Sequence, residues 1–255
     1  FLLTDPLRPA KLVLDGAPPP RSRAEVDTAL AGGEAVENPR RSRILLSAGP
    51  KDHGPGEHDY PLWLERWTKL FALDPDIHVD SSMGWPTAHQ LDTSDVVVMY
   101  SNNPSWDASK GMELDRFLAR GGGLVLLHYA VDGHQAVDAL ASRVGLAWRG
   151  GASAFRHGPL ELDFQGSRHP IARGLGMLRL VDESYWNLIG DPSSIQVLAT
   201  GREAGKAQPL LWTRQVGAGR VFGSIPGHFN WTFDDPLFRL LILRGIAWSA
   251  GQPVD

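Results

Sequence analysis

Gly121-Gly122-Gly123-Leu124-Val125-Leu126-Leu127-His128-Tyr129-Ala130-Val131 joins a glycine turn to an apolar run that stops at a histidine. Four consecutive aliphatics behind a glycine cluster predict a strand buried on both faces, the kind found in a parallel sheet. Asp132-Gly133-His134-Gln135 predicts a turn into a helix, with Asp132 as N-cap and Gln135 three residues on. His128 then stands at the carboxyl end of a central strand, facing the crevice where open α/β sheets bind ligands. A histidine satisfied by loop hydrogen bonds accounts for the same residue equally well.

Working outward, the preceding segment predicts a helix over 109–120, with Leu114, Phe117 and Leu118 inward and Gly121 at its C-terminal cap. Before it come strands at Arg43–Ala48, Ile77–Ser81 and Asp95–Tyr100. A helix over 61–73 carries Trp63, Trp67, Leu70 and Phe71 on one face. A further helix spans about 134–144. This order of strands and helices favours a mostly parallel sheet covered on both sides.

Beyond residue 150 the pattern changes to strands with short turns: 155–164, 178–188, 195–200, 209–214 and 219–224. A final helix runs from Asp235-Pro236 to about 249. One domain, residues 43–251, with a β-rich insertion is the simplest organisation. Residues 1–42, with Pro18-Pro19-Pro20 and Gly32-Gly33, read as an extended N-terminal arm in which 24–31 is at most a short helix.

The 255 residues suffice for one large core, and 42% hydrophobic with 21% charged residues is ordinary for a soluble globular chain. A net charge of −4 with no basic run predicts neither nucleic acid nor a membrane surface as partner. No cysteine is present, which excludes disulfides, thiolate metal sites and a cysteine nucleophile. Phe1 in place of methionine reads as removal of a preceding stretch. That stretch is either a signal, giving a periplasmic or secreted protein, or trimmed sequence of a cytoplasmic one. Nine tryptophans hint at carbohydrate contact, although core packing explains most of them.

Four loops at predicted strand ends concentrate polar residues. One presents His53, Glu57, His58 and Asp59, the last also readable as the cap of the following helix. A second holds His128 and Tyr129. A third holds His157, beside a β element with Glu183, Tyr185 and Trp186. The fourth is Pro226-Gly227-His228-Phe229-Asn230. Convergence of these loops would gather imidazoles, carboxylates and aromatic walls, a set suited to acid–base work or to a metal with an open position. No HExxH pair, dinucleotide fingerprint, P-loop or GxSxG elbow occurs. His78, His89 and His169 fall in ordinary strand or turn segments and read as structural or surface residues.

The loop GPKDHGPGEHDYP (49–61), GGGLVLLHYA, HPIARGL (169–175), DESYW (182–186) and GAGRVF…GH (217–228) together resemble the ThuA-like, trehalose-utilisation family, over about residues 43–250. The resemblance implies a flavodoxin-like, class I glutamine amidotransferase-like three-layer sandwich. Where amidotransferases carry a cysteine elbow this chain has Leu127-His128-Tyr129, which argues against glutaminase chemistry. It also implies a role in disaccharide catabolism, with keto-sugars as substrate class.

On that basis His58, His128, Glu183 and His228 are the expected catalytic residues, with His128 or Glu183 as base. His58, His128 and His228 are alternatively ligands of a divalent metal, zinc or similar. Tyr129, His157, Tyr185, Trp186, Phe229 and Asn230 are expected to line the sugar site. The expected partner is a small-molecule sugar, and self-association into a homo-oligomer is a further expectation. The competing expectation is a non-catalytic carbohydrate-binding or accessory module on the same fold.

Overall fold

The computed structural model describes residues 17–33, 40–102 and 106–254. Its strands are β1 (Ser42–Ala48), β2 (Ile77–Met83), β3 (Val96–Tyr100), β4 (Gly123–Leu127), β5 (Leu146–Ala147), β6 (Ala154–Asp163), β7 (Met177–Trp186), β8 (Ile189–Gly190), β9 (Gln196–Glu203), β10 (Lys206–Val216) and β11 (Gly219–Ser224). The helices are α1 (Arg23–Leu30), α2 (Tyr60–Phe71), α3 (Ala88–Thr93), α4 (Ala108–Ala119), α5 (Val137–Val144), α6 (Asn230–Asp234) and α7 (Pro236–Ser249).

One nine-stranded sheet organises the domain, in the order β2-β1-β3-β4-β11-β10-β9-β6-β7. The first five are mutually parallel and follow the flavodoxin order. The remaining pairs are antiparallel. The β-rich insertion therefore lies in the crossover from β4 to β11 and continues the same sheet. Helices α2 and α7 cover one face, while α4 and α5 cover the other, which makes the three-layer α/β sandwich. Leu124 to Leu127 and Val96 to Val98 are essentially without solvent contact, as a strand covered on both sides must be. Gly123 permits the approach of α7: a Cβ there would lie 2.3 Å from the Ser249 carbonyl oxygen. No helix among the described residues is long and apolar enough to cross a membrane.

Two local expectations need correction. Asp132 does not cap α5: its carboxylate accepts from the His134 amide at 2.8 Å and starts a 3-10 turn over 134–136. Ala136 then stands at the α5 N-terminus without a side-chain cap, because Gly133 packs tightly against Val137 and turns the chain first. His89 lies on α3, a helix signalled by the reciprocal capping pair Thr87 and Gln90. It is exposed, as is His78.

In the N-terminal segment, α1 begins at a Ser22–Glu25 capping box and buries Ala29. Arg21 ties it to the domain, its Nε donating to Asp235 Oδ2 at 2.8 Å. The rest of residues 1–42, apart from 17–33 and 40–42, lies outside the described residues.

Candidate metal centre

Parallel strands deliver their carboxyl ends to one rim of the sheet, and three histidines stand there. His128 follows β4 directly, with φ of 54°, and His58 precedes α2 with φ of 41°. Left-handed backbone at a non-glycine residue is uncommon and is retained where surrounding structure fixes it. The fixing contacts are visible. The His58 amide donates to the His228 carbonyl at 2.9 Å, and the Asn230 amide to the Gly56 carbonyl at 2.9 Å. These bonds zip the 53–59 loop to the loop after β11. Asp59 caps α2 by accepting from the Leu62 amide. Tyr100, at the end of β3, donates to the Gly227 carbonyl at 2.6 Å.

Glu183 arrives differently. It sits on the edge strand β7, which is separated from β11 by three other strands. The sheet must therefore curl for it to reach the rim. β6 pairs with β9 through the single register match Asp163–Thr200, so the β6–β7 hairpin is free to arch over the carboxyl ends. In register across that hairpin, His157 faces Glu183.

The result is a buried cluster. His58, His128, Glu183 and His228 each offer a ligand atom, and these atoms lie within 4.8 Å of one another. None of the four residues is more than 4% exposed. His128 Nε2 is 2.8 Å from His58 Nε2, 3.3 Å from His228 Nδ1 and 3.1 Å from Glu183 Oε2. Glu183 Oε2 is also 3.1 Å from His228 Nδ1, while Oε1 is 3.0 Å from His157 Nε2.

Tautomers follow from the outer partners. His128 Nδ1 lies 2.7 Å from the Ile225 carbonyl, which can only accept, so Nδ1 carries the hydrogen. His58 Nδ1 lies 3.1 Å from Asp52 Oδ1, which assigns the hydrogen there in the same way. Burial pushes His58 down to about 2, below the ordinary imidazole value, so the ring is neutral. His128 Nε2 and His58 Nε2 therefore meet at 2.8 Å, with a carboxylate oxygen beside them. Positive charge at that point comes from the His228 imidazolium, 3.3 Å from His128 Nε2, or from a bound cation in its place. Imidazoles anchored by an oxygen on the far nitrogen are the usual form of metal-ligating histidines. The donor set of this buried His/Glu cluster could thus hold a divalent metal.

Two charges balance the remainder. Burial opposes the charged forms of both Glu183 and His228, but their mutual attraction outweighs it. The Glu183 carboxyl is held well below the usual range, helped by hydrogen bonds from His128, His157 and His228. His228 is raised to about 9, with Glu57 and Asp182 contributing.

Sequence reasoning missed Asp52 and Asp182. Asp52 Oδ1 contacts both His53 Nδ1, at 2.8 Å, and His58 Nδ1. A carboxylate accepting from two imidazoles explains this trio better than a second metal site. Asp182, fully buried, accepts from the Gly227 and His228 amides at 3.0 and 2.9 Å and so fixes the loop that aims His228. Both adjoin residues already singled out, the first in a polar glycine loop and the second in DESYW; adjacency was the available signal.

Of the expected lining residues, Tyr185 stacks on His128 at 4.9 Å, with its hydroxyl 3.0 Å from Nε2. Tyr129 lies 5.7 Å from His58, ring to ring, and is partly exposed at the rim. Phe229 packs on His228 at 4.5 Å. His157 is buried, and its ring is 4.6 Å from that of His228. Trp186 and Asn230 are not brought to the cluster. Strand alternation puts Trp186 on the opposite face of β7 from Glu183 and Tyr185. Asn230 lines a surface groove with Trp63, Arg66 and Phe233. His169 packs on Trp248, remote in role from the cluster.

Comparison with known proteins adds the lineage. No curated protein matches the chain. Among solved structures, a ThuA-like protein of Parabacteroides merdae superposes with a TM-score of 0.68 at 20% identity, covering 85% of this chain and 92% of the other. A ThuA-like protein of Bacteroides uniformis gives 0.66 at 14% identity, covering 84% and 94%. A β-galactosidase of Bacillus circulans shares the fold over 84% of this chain but only 32% of its own length, with a TM-score of 0.56 at 13% identity. The family described as ThuA, trehalose utilisation, matches residues 56–249, and the chain belongs to it.

Proposed function

We propose that this protein is a carbohydrate-catabolic enzyme acting on a keto-disaccharide or related glycoside, with a divalent metal such as zinc held by His58, His128, His228 and Glu183. The observation that carries this reading is the convergence of three imidazole nitrogens and one carboxylate oxygen, all within 4.8 Å of one another, in a buried site. Such an ion, when bound, acts as a Lewis acid on a substrate oxygen.

The chain's own groups supply the rest. A keto group acidifies the neighbouring C–H, and loss of that proton permits isomerisation or expulsion of the glycosidic oxygen. Glu183 is a poor acceptor for it, since its carboxyl is held well below the usual range. His128 Nε2 points into the ligand set. The proton therefore falls to His157, whose Nε2 lies 3.0 Å from Glu183 Oε1 while its Nδ1 has no hydrogen-bond partner among the described residues. Tyr185 places a hydroxyl donor beside the same centre, and Tyr129 forms an aromatic edge at the rim.

The test is elemental analysis of the purified protein together with turnover of a keto-disaccharide panel. Stoichiometric metal and turnover, both lost in His128→Ala, support the reading. Tight sugar binding without turnover would replace it with a non-catalytic binding module.

A further inference from the structure

The carboxylate of the cluster depends on an arch, and the arch has its own fastening. β6 keeps only the Asp163–Thr200 register match with β9, near its carboxyl end. At its other end Arg156, neighbour of His157, leaves the opposite face of the strand. Its Nε and Nη2 each donate at 2.7 Å to the two oxygens of Glu203, at the end of β9. Its Nη1 donates to the Pro159 carbonyl at 2.8 Å. Glu203 is 3% exposed, so this is a parallel, two-bond pair shielded on the carboxylate side. Such a fork fixes direction as well as distance.

We propose that the Arg156–Glu203 clamp is the positioning device that sets the curl of the β6–β7 hairpin and thereby seats Glu183 and His157 against His128 and His228. Without it the end of β6 nearest the cluster loses its side-chain tie to β9, and β7 keeps only the Asp182 bonds to the Gly227 and His228 amides and the Trp231 bond to the Val181 carbonyl on that side. Neither residue touches the cluster itself. The inference rests on the metal reading for its affinity readout, but not for its structural one.

Two measurements separate the cases. The first is zinc affinity by chelator competition on the full chain. Arg156→Ala and the near-isosteric Glu203→Gln should each lower it by up to about 10-fold, the low end of the range for losing a direct outer partner of a metal ligand. Arg156→Lys should recover only part, since an ammonium lacks the fork, and the exchange Arg156→Glu with Glu203→Arg should recover more.

The second is the imidazole nitrogen and proton resonances of His157 and His228 in metal-free protein, which report contact with Glu183. They should shift in Arg156→Ala and return in the exchange. If Arg156→Ala fails to fold, Glu203→Gln carries both readouts. Wild-type zinc affinity and unshifted imidazoles, with only a lowered Tm, would make the clamp merely structural and overturn the proposal. A wild-type protein that binds no zinc would defeat the metal reading, and the imidazole shifts alone would then decide the clamp.

Discussion

The parallel and antiparallel halves of this sheet contribute to one site by different routes. In the parallel half, β1, β3 and β4 are covered on both faces and buried to their carboxyl ends. The histidines ride on loops forced into left-handed backbone at His58 and His128. In the antiparallel half, β6 and β7 alternate buried and exposed residues away from the site, and β7 is continuously buried at it, over Asp182–Tyr185. Glu183 and His157 belong to the strands themselves. The first half fixes a direction at each strand end; the second fixes a distance through the curl of a hairpin. Site residues from the first are local products of sequence, whereas those from the second depend on contacts far away in the chain.

The largest expected effects test whether the two halves divide metal holding from proton handling. His128→Ala, in the parallel half, should lose both bound metal and keto-disaccharide turnover. His157→Gln, in the arch, should keep the metal and lose turnover by about 10²–10⁴-fold, the usual worth of a positioned acid–base group. Metal content by elemental analysis, set against turnover for both variants, gives the answer. Equal metal loss in both would merge the two roles, and full turnover in His157→Gln would return the base to the cluster.

Glu183→Gln tests the join between the halves. It removes the charge opposite His228 while keeping the shape, leaving a buried imidazole without its counter-charge. Breaking a buried pair by removing one partner costs about 3–5 kcal/mol. Urea unfolding of the metal-free variant should show a loss of that order. A loss under about 1 kcal/mol would mean that Glu183 does not carry charge against His228.

Much of the parallel half was legible because its strands are unbroken apolar runs and its loops hold the glycines and prolines that punctuate them. Ile44-Leu45-Leu46 and Leu124–Leu127 announced themselves in this way. Helix α3 was not found because six residues carry too little periodicity, although Thr87 and Gln90 marked its start. The strands of the second half were legible as strands, yet nothing local says that β7 must fold back to β11. That follows from the single register match of β6 with β9, the Asp182 bonds to the Gly227 and His228 amides and the Arg156–Glu203 clamp. Asp52 and Asp182 escaped notice because what they do is defined by partners, among them His58 and the Gly227–His228 peptide.

The acid–base balance of the joined site gives a smaller effect with a definite sign. His228, raised to about 9 in the fold against 6.5 ordinarily, contributes stability that is complete below pH 6.5 and is lost as pH rises through 9. His58, lowered to about 2 from 6.5, contributes stability present above pH 6.5 and lost on acidification. Glu183, held well below 4.5, adds a further loss below that pH. The metal-free protein should therefore have a Tm maximum near pH 6.5. Zinc bound by the proposed set would replace the proton on His228, so its added stabilisation should grow between pH 6.5 and 9. A Tm that climbs steadily to pH 9 without metal would break the Glu183–His228 pairing.

The smallest expected effects lie with the two lining residues that the curl leaves outside. Trp186 follows Tyr185 in sequence, but pleating turns it to the other face, and Asn230 opens onto the groove beside Trp63 and Arg66. Neither side chain has a contact with the four clustered residues through which it could alter their geometry. Asn230→Ala and Trp186→Phe should hold turnover within about threefold, under 1 kcal/mol of barrier. Tyr185→Phe, by contrast, removes the hydroxyl 3.0 Å from His128 Nε2. If Trp186→Phe instead matched Tyr185→Phe in lost turnover, alternation along β7 would not be what selects the site's walls, and the arch would have to present both faces to substrate.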